Sequence, residues 1–416
     1  MGKEKRLFLL AVMTVMMSTV GYGAIIGNGG KSYNKPNENK EFNENPITVE
    51  KPKDMGYYIQ ASANGGDVSA TIKTDITVND GTGIQISIGE KGIGNTKVTN
   101  EGNLIVNKGT GVKLVKDKKN KNSDLKNEFI NKGIIKVAGG KGIQLDNEKD
   151  IVVNEKEIII DKDINGVGVS MSAGNFTNSE TGTITIGKGG IGINIEKDGK
   201  VLNEGKIEVA GGTGIGVALN DSMFVNSGEI FGKGIAIQSV KGNNTIYLKN
   251  GSKVTGKIVG ADGIDVLGLA GGTYSDLNVS NYEALTVRDG VANIKDSTIE
   301  LEYNNGTKNY LDQAKEKMDE YDTQNKKSVE NEKLTMSNSN LIIDFKDSLT
   351  NPNGSENPII DVGADGKLVF KEGMKFDFTS SDGRDVFNLN EALGLKNGQI
   401  VVDGNFDDVF KEFAWF

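Results

Sequence analysis

The sequence predicts an all-β fold, a parallel β-helix (β-solenoid) with coils of about 24 residues and a short helical insertion near residues 310–333. Three observations predict it. A phrase of glycine followed by alternating apolar residues returns at a nearly fixed spacing, and a second phrase built on Asn-x-Gly returns at the same spacing. The third is composition: 56 glycines against 5 prolines, with 6% aromatic residues, suit a chain that needs little core per residue, as quasi-one-dimensional folds do.

Taken in order, residues 1–23 read as a secretory signal peptide. Lys3, Lys5 and Arg6 form a basic start, Leu7 to Val20 an apolar run short for a bilayer span, and the small residues Gly21, Gly23 and Ala24 place cleavage after Gly23 or Ala24. Residues 24–56, with Pro36, Pro46 and Pro52 among Asn, Lys and Glu, read as a disordered or extended leader without a core. The β-helix is expected over 57–300.

Within it, the glycine phrase is Gly83-Ile84-Gln85-Ile86, Gly111-Val112-Lys113-Leu114, Gly142-Ile143-Gln144-Leu145 and Gly166-Val167-Gly168-Val169. From Gly142 the leading glycines fall at 166, 190 and 214, steps of 24, and then at 234, a step of 20. The second phrase is clearest at Val98-Thr99-Asn100-Glu101-Gly102-Asn103-Leu104-Ile105-Val106, and its asparagines at 131, 154, 178, 203, 226 and 250 step by 23 to 25. Period-2 alternation makes each phrase a half-buried strand, while Gly and Asn supply corners with positive φ. A unit this short cannot bury its own apolar stripe, so the coils must stack in parallel, which brings the asparagines into register as an amide ladder.

Both phrases are seven residues further apart between the second and third coils, and the polar run Lys116 to Asn127 reads as a solvated loop insertion. Residues 301–335 are a charged, partly helical insertion, with Leu311, Ala314, Met318 and Tyr321 at helical spacing. Strand patterns return at Ser339 to Phe345 and at Lys367 to Phe370, so 336–416 is expected to finish the solenoid as irregular coils or a cap, with a short helix over Asp407 to Phe416.

The chain has no cysteine and no histidine, which removes thiolate chemistry and the commonest general base and metal ligand together. No catalytic, cofactor-binding or metal residues are assigned. The carboxylate pairs Asp262 with Asp265 and Asp382 with Asp385 have the residue types a glycosidase uses, but among 57 acidic residues such pairs are expected by chance. The run Gly263-Ile264-Asp265-Val266-Leu267-Gly268 is one poor copy of a calcium-binding turn repeat, and Gly211-Gly212-Thr213-Gly214-Ile215-Gly216 is a corner rather than a dinucleotide loop, since no helix pattern follows. The formal charge of −9 becomes about −11 without the signal peptide, which argues against nucleic acid as a partner.

Signal peptide, repeated Asn-x-Gly and glycine-apolar coils, and the Asp/Asn-rich closing region together resemble the passenger part of bacterial autotransporters, over roughly residues 1–410. That resemblance implies a right-handed parallel β-helix displayed at the cell surface or outer membrane, commonly as an adhesin that meets a receptor or glycan on a host or bacterial surface. It also implies a C-terminal β-barrel, and roughly a dozen strands of about ten residues each would take more than about 200 residues. The sequence ends at Phe413-Ala414-Trp415-Phe416 without such a stretch, so the expectation is a separately encoded translocator or a truncated passenger held in the periplasm. A β-helix enzyme acting on polysaccharide through carboxylates is the alternative.

Overall fold

The computed structural model describes residues 25–61, 66–161, 166–288, 290–302, 307–322, 332–345, 359–363, 366–380 and 399–402. The expected signal peptide, Asp382, Asp385 and the expected C-terminal helix lie outside them. Two compact units, Met1–Asn175 and Phe176–Phe416, divide the chain.

The first unit is built of coils with three strands each. Ile25–Tyr33, Asp54–Ala61, Thr82–Ile88, Thr110–Lys116, Gly140–Leu145 and Gly166–Met171 stack in one parallel row. Asn39–Phe42, Val68–Ile72, Thr96–Asn100, Asn127–Asn131 and Ile151–Asn154 form the second. Ile47–Val49, Ile76–Val78, Leu104–Val106, Ile134–Val137 and Glu157–Ile160 form the third. The Asn-x-Gly phrase is therefore two strands, bent at the corner that Asn100-Glu101-Gly102 makes. Alternate side chains such as Ile84 and Ile86, Val112 and Leu114, and Ile143 and Leu145 close the interior from water.

Residues 25–56 are a correction to the sequence reading, which left them without a core. They form the first coil, with Phe42, Ile47 and Val49 buried and Phe42 packed against Tyr57 at 4.8 Å between ring centroids. The few apolar residues suffice because the next coil covers them, and Pro36 and Pro52 sit in turns where no ladder N–H is needed.

The register departs from the predicted step of 24 after Gly142. Ile84, Val112 and Ile143 align at the steps of 28 and 31 that the glycine phrases give, but Ile143 aligns with Val169, a step of 26, so Gly142 pairs with Gly168 and not with Gly166. The cause is a column in which no side chain fits: a Cβ on Gly83 would lie 2.7 Å from the Gly111 carbonyl oxygen, one on Gly111 2.6 Å from that of Gly142, and one on Gly142 2.6 Å from that of Gly168. The predicted amide ladder is present. Asn100 Nδ2 donates to Asn131 Oδ1 at 3.1 Å and Asn131 Nδ2 to Asn154 Oδ1 at 2.8 Å, all three side chains fully buried.

The second unit has the same plan with shorter coils: Ile193, Val217 and Ile237 align at steps of 24 and 20. Its own ladder runs from Asn178 to Asn203 at 2.8 Å and from Asn203 to Asn226 at 2.7 Å. Leu248, not Asn250, aligns with Asn226, which corrects the last member of the sequence-derived series. Between Ile299 and Leu341, aligned in adjacent strands, the coil is enlarged to 42 residues by the helix α1, Thr307–Asp322. Beyond it, Lys333–Ser337 pairs with Lys367–Phe370 and Asn340–Phe345 with Lys375–Ser380; the patterns at Ser339 to Phe345 and Lys367 to Phe370 predict two of these strands, whereas Lys333–Ser337 begins inside the stretch expected to be the helical insertion.

Candidate functional site

Asp262 and Asp265 are not brought together. Asp262 is exposed on a corner, whereas Asp265 opens the strand Asp265–Leu269 and is fully buried. Asp265 Oδ1 accepts the backbone N–H and the Nδ2 of Asn244 at 3.2 and 2.9 Å, and its Oδ2 accepts the Ala261 N–H at 2.8 Å. Such a carboxylate is turned into the wall rather than toward a cleft. Gly263 is a corner residue at φ +130°, where a Cβ would meet the Gly242 carbonyl oxygen at 2.3 Å, so close approach explains it without calcium. Gly211 to Gly214 form a turn between Lys206–Val209 and Ile215–Asn220, as read.

The Lys116 to Asn127 insertion is a loop, but an anchored one. Asn120 Nδ2 donates to the carbonyls of Gly89 at 2.8 Å and Gly92 at 2.9 Å, and Leu125 is buried beneath it. Beside it a polar hollow is lined by Lys113, Lys116, Asp117, Asp146 and Asn147.

The most elaborated surface is in the second unit, where α1 covers the outer face of one sheet. Tyr310, Leu311, Ala314 and Met318 are buried against Val225, Tyr247, Val266, Ala270 and Ala284, with Tyr321 packed at the margin. This is the stripe predicted by helical spacing, and it docks onto the sheet instead of lying on the surface. A Cβ on Gly268 would stand 2.5 Å from the Met318 sulfur, so glycine makes the notch that Met318 fills. Polar contacts fix the rim: Tyr310 Oη lies 3.0 Å from Thr245 Oγ1 and donates to the Asn243 carbonyl at 2.9 Å, Tyr247 Oη donates to Asp322 at 2.5 Å, and Lys249 pairs with Asp322 at 3.0 Å. Arg288 pairs with Asp319 and Glu332, and Lys315 with Asp361. Burial pushes the Tyr310 hydroxyl up to about 12.

Under the N-terminal end of α1, Asp265 stands beside an ionisable group that sequence reading missed. Glu283 is 5% exposed and its Oε2 accepts the Asp265 N–H at 2.5 Å. Burial raises Asp265 to about 6; burial, with the Asp265 charge adding to it, raises Glu283 to about 8. In the first unit Asp150 stands in the same relation to Asn127, accepting its N–H at 2.9 Å and its Nδ2 at 3.1 Å, and burial raises its pKa too. Asp265 opens its strand and Asp150 and Glu283 each stand one residue before one, which a sequence displays only once the coil register is known. Among the described residues no three of His, Cys, Asp and Glu converge as a metal cluster, and no helix is long and apolar enough to cross a membrane. Comparison with protein-family models and with curated proteins finds no match.

Proposed function

We propose that this chain is an exported, autotransporter-like passenger that serves as a structural or adhesive protein at the cell surface, with no catalytic role. The observation that carries the reading is how the interior polar groups are used. The buried asparagines bond to one another from coil to coil, and Asp150 and Asp265 accept backbone N–H groups of neighbouring coils. Such a wall lets coils be added while outward side chains vary, which suits a scaffold that presents a surface to a receptor or glycan. A separate outer-membrane translocator is the partner this reading requires.

Asp265 counts against the polysaccharide-acting alternative, because a carboxylate holding three N–H groups inside the wall cannot flank a glycosidic bond. Protease shaving of intact cells, followed with an antibody to the loop within Lys116 to Asn127 and with a periplasmic marker, tests the surface reading. Cleavage on intact cells is expected. Protection until the outer membrane is broken would leave the chain a periplasmic passenger.

A further inference from the structure

In the second unit, the ion pair between Lys315 of α1 and Asp361 differs from the others in its surroundings. Its side chains are 23% and 12% exposed, which makes it the most enclosed pairing of a lysine with an acid among the described residues; Lys200 with Glu320, Lys206 with Glu208 and Lys253 with Glu229 all lie open to water. Asp361 ends the strand Ile360–Asp361, which pairs in parallel with Ala284–Val287, so it lies one strand beyond Ala284 in the apolar face that α1 covers. The helical spacing that turns Leu311, Ala314 and Met318 into that face sets Lys315 at its margin, in contact with Asp361.

An ion pair needs two opposite charges and nothing more. Here the carboxyl is also held at both oxygens: the Gly363 N–H donates to Asp361 Oδ1 at 3.1 Å, and Thr286 Oγ1 donates to Asp361 Oδ2 at 3.2 Å. Lys315 Nζ meets that same Oδ2. A second carboxyl, Glu332, stands in the field of both partners with its side chain 16% exposed and Arg288 Nη1 at 3.6 Å from its Oε1. Burial raises the Glu332 carboxyl against the pull of Arg288 and Lys315, with Asp361 adding to the rise. An amine, a carboxyl fixed against it, an N–H on the carboxyl's other oxygen and a second acid that can take and return a proton are the parts an amide condensation uses.

We infer that the side chains of Lys315 and Asp361 become joined by an isopeptide bond that the folded chain makes by itself, with Glu332 as the proton carrier. One proton of the Lys315 ammonium passes by way of Glu332 to Asp361 Oδ2, so that a neutral amine faces a neutral acid. The amine lone pair attacks Asp361 Cγ and forms the C–N bond, while the Gly363 N–H stabilises the charge that develops on Oδ1. A second nitrogen proton follows the first to Oδ2, the C–O bond breaks, and water leaves. Ammonium and carboxylate have become amide and water, nothing is oxidised or reduced, and Glu332 is returned unchanged. Contact in the fold supplies the drive that free amines and acids lack, since well-oriented groups on one scaffold reach effective molarities on the order of 10⁵ M or more. The product ties α1 to a strand forty-six residues further along the chain, and a loop closed in this way restrains the unfolded state as a disulfide does, in a sequence without cysteine.

The experiment takes the purified full chain beside Lys315→Arg, which keeps the charge of the pair, and Glu332→Gln, which keeps the shape of the acid, each checked by circular dichroism for an unchanged strand spectrum. Intact-mass spectrometry is expected to find the parent lighter than its sequence by one water and both variants at the mass of theirs. After tryptic digestion of the denatured parent, Lys315 should remain uncut and appear with Asp361 in one branched peptide, located by fragmentation. Both variants should melt below the parent. Separate peptides with Lys315 cut would overturn the bond and leave an ion pair, even with a water missing elsewhere, because a cyclised Asp-Gly turn loses one too. A branched peptide that forms to the same extent in Glu332→Gln would overturn the proton route.

Discussion

Asn131 is the middle of the amide ladder in the first unit, and its replacement tests whether the ladder holds the coils together. Its Nδ2 donates to Asn154 Oδ1 at 2.8 Å and to the Gly133 carbonyl at 2.9 Å, while its Oδ1 accepts from Asn100 Nδ2 at 3.1 Å. Asn131→Ala removes all three, at about 1 kcal/mol each, and adds the cost of under-satisfied buried polar groups at about 1 to 3 kcal/mol. The expected loss is roughly 4 to 6 kcal/mol. Asn131→Asp is the sharper variant, because it keeps the shape and the acceptor but cannot donate when ionised. It should be less stable than the alanine variant at neutral pH and recover on acidification, since a buried carboxyl with raised pKa is favoured in the fold only when protonated. Denaturant unfolding of the chain gives the total. Hydrogen exchange over Asn127–Asn131 and Ile151–Asn154 gives the local effect, because stacked repeats can open in parts. An alanine variant within about 1 kcal/mol of the parent, or an aspartate variant no worse than alanine, would refute the reasoning.

Three further outcomes follow from the same geometry. Asp150 is buried with Oδ2 unpartnered, and burial raises its pKa, so its contribution to stability falls as pH rises from the ordinary aspartate value through the raised one; Asp150→Asn should remove that slope, as read by unfolding across a pH series. Gly111→Ala places a Cβ 2.6 Å from the Gly142 carbonyl oxygen, a backbone atom that cannot rotate away, and should cost about 1 to 3 kcal/mol in denaturant unfolding. Met318→Ala empties the notch over Gly268 and should cost about 2 to 5 kcal/mol of α1 docking, seen as faster hydrogen exchange in Thr307–Asp322 with the first unit unchanged.

Much of this fold is legible in the sequence because its signals are local. The alternation in Val98-Thr99-Asn100, the corner at Gly102 and the helical spacing of Leu311, Ala314 and Met318 can each be read within a few residues, and the structure uses all of them as read. Docking of α1 had a signal that went unused. Where the helix covers the sheet, strands cease to alternate and run apolar on both faces, as in Thr245-Ile246-Tyr247-Leu248 and Val266-Leu267-Gly268-Leu269, the pattern of a sheet buried on two sides. The first coil was missed because its apolar residues are few and are covered by a neighbour, a property of the stack and not of the segment. Glu283 was missed for the same kind of reason, since its partner Asp265 is eighteen residues away in sequence and one strand away in space.

Register is the quantity that a repeat reading resolves least well, and parity explains why. Aligning Gly142 with Gly166 instead of Gly168 is an error of two residues, which leaves every side chain on its proper face because strand side chains alternate with a period of two. Hydrophobic pattern is therefore blind to the error, and Val167, Val169 and Met171 all look like acceptable core residues. The glycine column is not blind to it, because the carbonyl that crowds each glycine belongs to one residue of the next coil and to no other. Registers in such a chain are better fixed by the positions that exclude a side chain than by those that welcome an apolar one. The acid-bearing rows follow the same rule, since an acceptor serves a strand-start N–H only in the correct register: Asp150 must stand beside Asn127, and Glu283 beside Asp265, or the N–H of each coil is left without its partner.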